Sequence, residues 1–212
     1  MTDRITFQKE AEPYRLSDWR TVIRILCHGG VGVIPTDTIY GLVGSALLPK
    51  TVERIYRLRC RNQSKPMIVL IGSLADLKRF GVTLDTPARK TLRTLWPGKV
   101  SVVLPVTSPR FKYLHRGTKT IAFRLPAWPP LRHLLRATGP LVAPSVNREG
   151  KSPAENISEA RRYFGERVDF YVNSGHRQGR PSTLVSFRNN HLTVLRPGAA
   201  KVEQVSRPEL EH

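Results

Sequence analysis

Cysteine is nearly absent and long apolar runs are missing, and each shortage removes a class of protein. Cys27 and Cys60 are the only two cysteines in 212 residues, too few for a disulfide framework or a thiolate zinc site, so the chain reads as cytoplasmic. The least charged stretch, 29–49, still contains Asp37 and is broken by Gly and Pro, so no membrane span is expected, and no basic-then-apolar leader opens the sequence. The six histidines include no HExxH motif and no close pair, so no transition-metal site is expected; His176 in "SGHRQG" reads as a solvated turn residue. Neither GxxxxGK[ST] nor GxGxxG occurs, so a bound nucleotide would be gripped by side chains more than by a glycine cradle.

Acidic residues are also scarce. Sixteen Asp and Glu stand against 35 Lys and Arg, a formal charge of +19 at pH 7. Such an imbalance attracts nucleic acid, nucleotide or phosphate, and gives the sign of the partner rather than its identity. Hydrophobic residues make up 40% of the chain, enough for a sizeable core in a single domain spanning about 1–200. The remainder, 201–212, reads as a tail loosely attached after Gly198, and Leu210-Glu211-His212 looks like the start of a purification tag.

Hydrophobic periodicity predicts alternating strands and helices. Ser17 is the expected N-cap of a helix carrying Trp19, Val22, Ile23 and Leu26 on one face, with Cys27 in the core and Gly29-Gly30 as the stop. "VGVIP" predicts a strand, "PKTVERIYRLR" a helix with Val52, Ile55 and Tyr56 inward, and "PMIVLIG" a strand. Thr86 with Pro87 starts a helix that Pro97-Gly98 stops. Strands follow in "VSVVLPV" and "TIAFRLP", a helix in "PPLRHLLRA", a strand in "PLVAPS", a helix in "SEARRYF", and strands in "DFYVN", "STLVSF" and "LTVLR". The expected fold is α/β, a mixed sheet covered by helices, without repeats.

Polar residues recur just past strand ends, where α/β sheets usually bind ligands: Thr36, Asp37, Thr38 and Tyr40 in "VIPTDTIYGL", Ser145 and Asn147 in "LVAPSVNREG". Arg59 and Arg61 are two apart in "RLRCRNQSKPMIVLI", so an extended segment points both the same way, with Lys65 four further on. Guanidinium groups hold phosphate bidentately and keep their charge. A polyphosphate and a surface RNA patch both fit that spacing.

"PTDTIYGL", the basic segment running into "KPMIVLI", "WPGKVSVVLP", "IAFRLP", "APSVN", "GRPSTLV" and "LRPG" occur in the order and approximate spacing found in the YrdC-type threonylcarbamoyl-AMP synthases, which the chain resembles from about residue 15 to 200. The resemblance implies a YrdC-like twisted mixed sheet with flanking helices around a large basic cavity. It implies a nucleotidyltransferase that converts L-threonine, bicarbonate and ATP, with Mg2+ accompanying ATP, into L-threonylcarbamoyl-AMP and pyrophosphate. The product would supply the tRNA threonylcarbamoyltransferase machinery, which modifies the adenosine beside the anticodon in tRNAs reading codons that begin with A. Carried over by position, Arg59, Arg61, Lys65, Ser145, Asn147 and Arg196 would hold ATP. Thr38, Arg124, Ala143 and Ser182 would hold threonine, with Arg124 on its carboxylate. No residue is assigned as nucleophile or base; Arg59 and Arg61 would stabilise charge. The sequence departs from the family in having Arg59-Cys60-Arg61 where most members have Lys-Gly-Arg, and Leu70 where some carry a histidine. Two other readings stay open at this point: a non-catalytic module binding double-stranded RNA, and a YrdC-fold paralogue acting on a related carbamoyl adenylate.

Overall fold

The structure is a computed structural model that describes residues 14–15, 18–188 and 191–202. Nine strands form one mixed sheet in the order β7-β1-β2-β6-β3-β5-β4-β8-β9: β1 (Val31–Ile34), β2 (Gly41–Ser45), β3 (Val69–Leu70), β4 (Val100–Pro105), β5 (Thr120–Arg124), β6 (Leu141–Val142), β7 (Phe170–Tyr171), β8 (Thr183–Arg188) and β9 (His191–Arg196). The β1/β7, β3/β5 and β4/β8 pairs are parallel and the other five antiparallel. Among the described residues six α-helices accompany the sheet: α1 (Trp19–Cys27), α2 (Pro49–Arg59), α3 (Thr86–Leu95), α4 (Lys112–His115), α5 (Pro129–Thr138) and α6 (Ile157–Phe164).

Successive strand residues point to opposite faces and so feed two separate cores. Val33, Leu42 and Val69 join the larger core, which also takes in Val52, Ile55 and Tyr56 of α2. Their neighbours Ile34, Val43 and Leu70 join a second core beneath α1 and α5, with Val22, Leu26, Leu131 and Leu134. Helix α2 comes down on β2 because residue 44 is glycine; a Cβ there would lie 2.5 Å from the Thr51 methyl.

Several local expectations are corrected. Cys27 is exposed, not core. The buried stripe of α1 runs through Val22, Ile25 and Leu26, which leaves the row through Ile23 and Cys27 at its margin. Helix α3 starts at Thr86 as expected, but its N-cap is Asp85, one residue earlier: the Asp85 carboxylate accepts the Ala88 amide at 2.7 Å. Strand β2 was not expected, because "GLVGS" is short, holds two glycines and follows a polar loop. The chain just after Gly198 is fastened: Ala199 N donates to Pro181 O at 2.8 Å and Ala200 N to Thr183 Oγ1 at 3.1 Å. Ser17 and the stretch 203–212, with its tag-like end, lie outside the described residues. Among the described residues no helix is long and apolar enough to cross a membrane.

Helix α2 ends with Cys60 in the left-handed region, φ 50°, ψ 39°. That conformation costs a residue with a Cβ about 1–2 kcal/mol, which explains why glycine suits this position. Cys60→Gly relieves the strain and loses only an exposed side chain. After the greater flexibility of glycine in the unfolded chain is subtracted, the variant should gain about 0.5–1 kcal/mol, seen as a melting point about 1–4 °C higher by calorimetry.

Candidate active site

The loop after β1 is built by its own hydroxyls. Thr36 Oγ1 donates to Ile39 O at 2.7 Å and accepts the Thr38 amide at 3.1 Å, which turns the chain back and presents Thr38 at the surface of a cavity. Facing it, β5 ends in Arg124, 4% exposed. Arg124 Nη1 lies 3.0 Å from Asp37 Oδ1 and 3.4 Å from Thr38 Oγ1. The Asp37 contact is a close ion pair, and Arg124 Nε is buried without a hydrogen-bond partner. Asp37 Oδ2 is anchored by the Ala127 amide at 3.0 Å. Burial pushes the Arg124 guanidinium below its ordinary pKa, and Asp37 pulls it back toward the charged form. The result is a fixed cation with donor capacity to spare.

A second set of cations converges from other elements. Arg59, the last residue of α2, is 3% exposed and seats itself in the loop after β6. Its Nε donates to Asn147 O at 3.0 Å, and its Nη2 to Asn147 Oδ1 at 2.8 Å and Ser145 Oγ at 3.3 Å. Nη1 is buried without a partner. Asn147 is tied in turn, its Nδ2 donating to Arg148 O and Lys151 O at 2.9 and 2.7 Å. Arg61 is held by Lys65 O at 3.1 Å and Pro66 O at 2.9 Å, and Arg196, at the end of β9, by Ser182 O at 2.9 Å. Gly198 makes that last approach feasible, since a Cβ there would meet Pro181 O at 2.3 Å.

Desolvation lowers the pKa of Arg59 to about 10, and repulsion from Arg61 adds to the shift. Arg196 is lowered for the same two reasons, burial first and Arg61 second. Like charges held together in a partly desolvated place are unfavourable until an anion joins them, and planar guanidiniums suit phosphate oxygens.

Both sets border one cavity of about 360 Å³, a size typical of small-molecule sites. Thr38, Arg59, Arg61, Arg124, Ala143, Ser145, Ser182 and Arg196 all line it. Lys65 and Asn147 do not. Lys65 is turned to Glu149, 2.7 Å away, and these two side chains are 59% and 28% exposed; Asn147 lies behind Arg59 as its seat. Leu70 is also outside the wall, fully buried in the core beneath α5.

Sequence reasoning missed several parts of the site. Thr118, Thr120, Val103, Leu184 and the half-exposed Leu195 also line the cavity, and Ser101 stands behind it. Thr118 reads as a loop residue and the others as ordinary strand residues, whereas Asp37, already named in the polar strand-end loop, stands behind the wall beside Arg124. His176 is exposed in its turn and lies 2.9 Å from Glu155 Oε2, so it has a carboxylate partner as well as solvent. Among the described residues no group of three or more His, Cys, Asp or Glu converges to hold a metal.

Comparison with known proteins extends these observations. The Sua5/YciO/YrdC family model, described as "Telomere recombination", matches residues 24–198. A putative threonylcarbamoyl-AMP synthase of Mycobacterium tuberculosis is 31% identical over 180 residues, covering 84% of this chain and 82% of its own. The threonylcarbamoyl-AMP synthase of Thiobacillus denitrificans is 34% identical over 168 residues, covering 79% and 89%. In structure, Sua5 of Pyrococcus abyssi complexed with L-threonine superposes with a TM-score of 0.79 at 26% identity over 87% of this chain, which spans 56% of the Sua5 chain. From the family match, these relatives and the shared fold, the chain belongs to the Sua5/YciO/YrdC family.

Proposed function

We infer that this chain is a threonylcarbamoyl-AMP synthase, joining L-threonine, bicarbonate and ATP into L-threonylcarbamoyl-AMP with release of pyrophosphate. The observation that carries this reading is a single cavity with two kinds of cation. Arg124, beside Thr38, offers a guanidinium fork of the shape that takes an amino-acid carboxylate, and Arg59, Arg61 and Arg196 form a cluster suited to a polyphosphate. Relatives carrying this name, and the threonine bound to the Pyrococcus protein, support the same assignment.

The amine of threonine combines with bicarbonate, losing water, to give a carbamate. A carbamate oxygen attacks the α-phosphorus of ATP, the bond to the β-phosphate bridging oxygen breaks, and pyrophosphate leaves with the electron pair. The chain's own contribution is position and charge: Arg124 fixes the amino acid, and the arginine cluster stabilises negative charge on the departing pyrophosphate. Magnesium would arrive with the substrate, on the phosphates of MgATP. Lys65 would join the phosphates by leaving Glu149. Arg59 in place of the family lysine keeps the charge and gains a seat: its fork makes three hydrogen bonds to Ser145 and Asn147 and leaves Nη1 for the ligand. The product would pass in the cytoplasm to the machinery that modifies tRNA adenosine.

The direct test is pyrophosphate release from MgATP and bicarbonate, with and without L-threonine, the adenylate being checked by mass spectrometry. Threonine-dependent release with that product is expected; release indifferent to threonine, or none from folded protein, would overturn the reading. Arg61→Ala removes one charge-assisted grip on the phosphates, worth about 1.5–3 kcal/mol, and should lower kcat/KM for ATP by about 10- to 150-fold with the circular dichroism spectrum unchanged. Arg124→Lys keeps the charge and loses the fork, so the KM for threonine should rise about tenfold or more while that for ATP holds. A parallel rise in both would sink the assignment of Arg124 to the amino acid.

A further inference from the structure

Behind the cavity wall, Ser101 on β4 and Ser182 just before β8 face each other with their Oγ atoms 2.8 Å apart. Geometry alone lets either hydroxyl donate, and the surroundings decide. Ser101 is fully buried and does not line the cavity, and Ser182 is the only hydrogen-bond partner of its hydroxyl among the described residues. If Ser182 donated to Ser101, the Ser101 proton would be buried with no acceptor, the arrangement folded proteins avoid. Ser101 therefore donates to Ser182. Each hydroxyl carries one proton, so the proton of Ser182, a residue of the cavity wall, is left for whatever enters.

We propose that Ser101 is a positioning residue for amino-acid recognition: its buried hydroxyl fixes Ser182 as a hydrogen-bond donor toward an acceptor oxygen of the bound amino acid. This rests on the threonylcarbamoyl-AMP synthase reading and deepens it. Threonine offers such oxygens in its carboxylate and its hydroxyl. Register supports the arrangement, since β4 and β8 pair in parallel with Val100 opposite Thr183 and Ser101 opposite Leu184. The main chain around Ser182 is further fixed by Thr183 N, which donates to Lys99 O at 3.0 Å, and by Arg196, which donates to Ser182 O at 2.9 Å. With the backbone held, the hydroxyl rotor is the remaining freedom, and Ser101 removes it.

The test is a double-mutant cycle of the full chain, Ser101→Ala, Ser182→Ala and both together. L-threonine and MgATP binding are measured separately by titration calorimetry, and thermal melts report stability. Ser101→Ala should weaken threonine about three- to tenfold and leave MgATP affinity unchanged, and in the Ser182→Ala background the same change should have no further effect. Unchanged threonine affinity in Ser101→Ala, an equal loss in both backgrounds, or a matching loss for MgATP would overturn the proposal while leaving the functional reading intact. Wild-type protein that binds MgATP and no threonine would overturn both.

Discussion

Burial of the Arg59 guanidinium is the constraint around which the site is arranged. A charge that is 3% exposed must be satisfied locally, and here the satisfaction comes from one loop: Asn147 through its carbonyl and its side chain, Ser145 through its hydroxyl. The bond is mutual, because Glu149 N returns to Arg59 O at 2.8 Å. The end of α2 and the loop after β6 are thereby locked together, and the direction of that lock fixes where Arg61 and the basic segment stand. Satisfaction is incomplete, since Nη1 has no partner and Arg61 adds repulsion. The free protein thus concentrates positive charge on its cavity wall, an arrangement that favours an anion.

The Arg124 set follows another rule. Arg124 is as deeply buried as Arg59, yet it has a carboxylate beside it, so its charge is largely compensated before any ligand binds. A compensated cation with a spare donor suits a zwitterion, which brings both signs. A cluster of like charges that Glu149 offsets only in part suits a polyanion. The two sets of cations on the cavity wall therefore differ in electrostatic character, one paired with a carboxylate and the other crowded by like charges. The formal charge of +19 gives the sign; the burial of Arg59 and Arg196 concentrates that sign beside the cavity.

The strand and helix order was legible in the sequence because apolar periodicity and capping residues are local signals, and β1, α2, α5 and β8 stand where it put them. Errors fell where local signals conflict with context: Cys27 at the margin of an apolar stripe, β2 diluted by glycine, and Asp85 one residue ahead of the Thr-Pro start of α3. Within the site, residues recognisable by motif were found, and eight of them share one wall. The supporting residues were not, since nothing in "KVSVVLP" distinguishes Ser101 from any small strand residue until β8 is laid beside it. Asn147 shows the same limit from the other side: its motif was visible, while its place behind Arg59 required the fold.

The measurement that most directly tests the central claim, that like-charge repulsion within the arginine cluster marks a polyanion site, is ligand-dependent thermal stability of the free protein. A ligand that binds the native state raises the melting point by mass action. MgATP and inorganic pyrophosphate should each raise it at concentrations where adenosine does not, and the rise should shrink with added salt. Adenosine matching MgATP, with pyrophosphate silent, would contradict the account and place the binding energy in the apolar wall instead of in the arginine cluster.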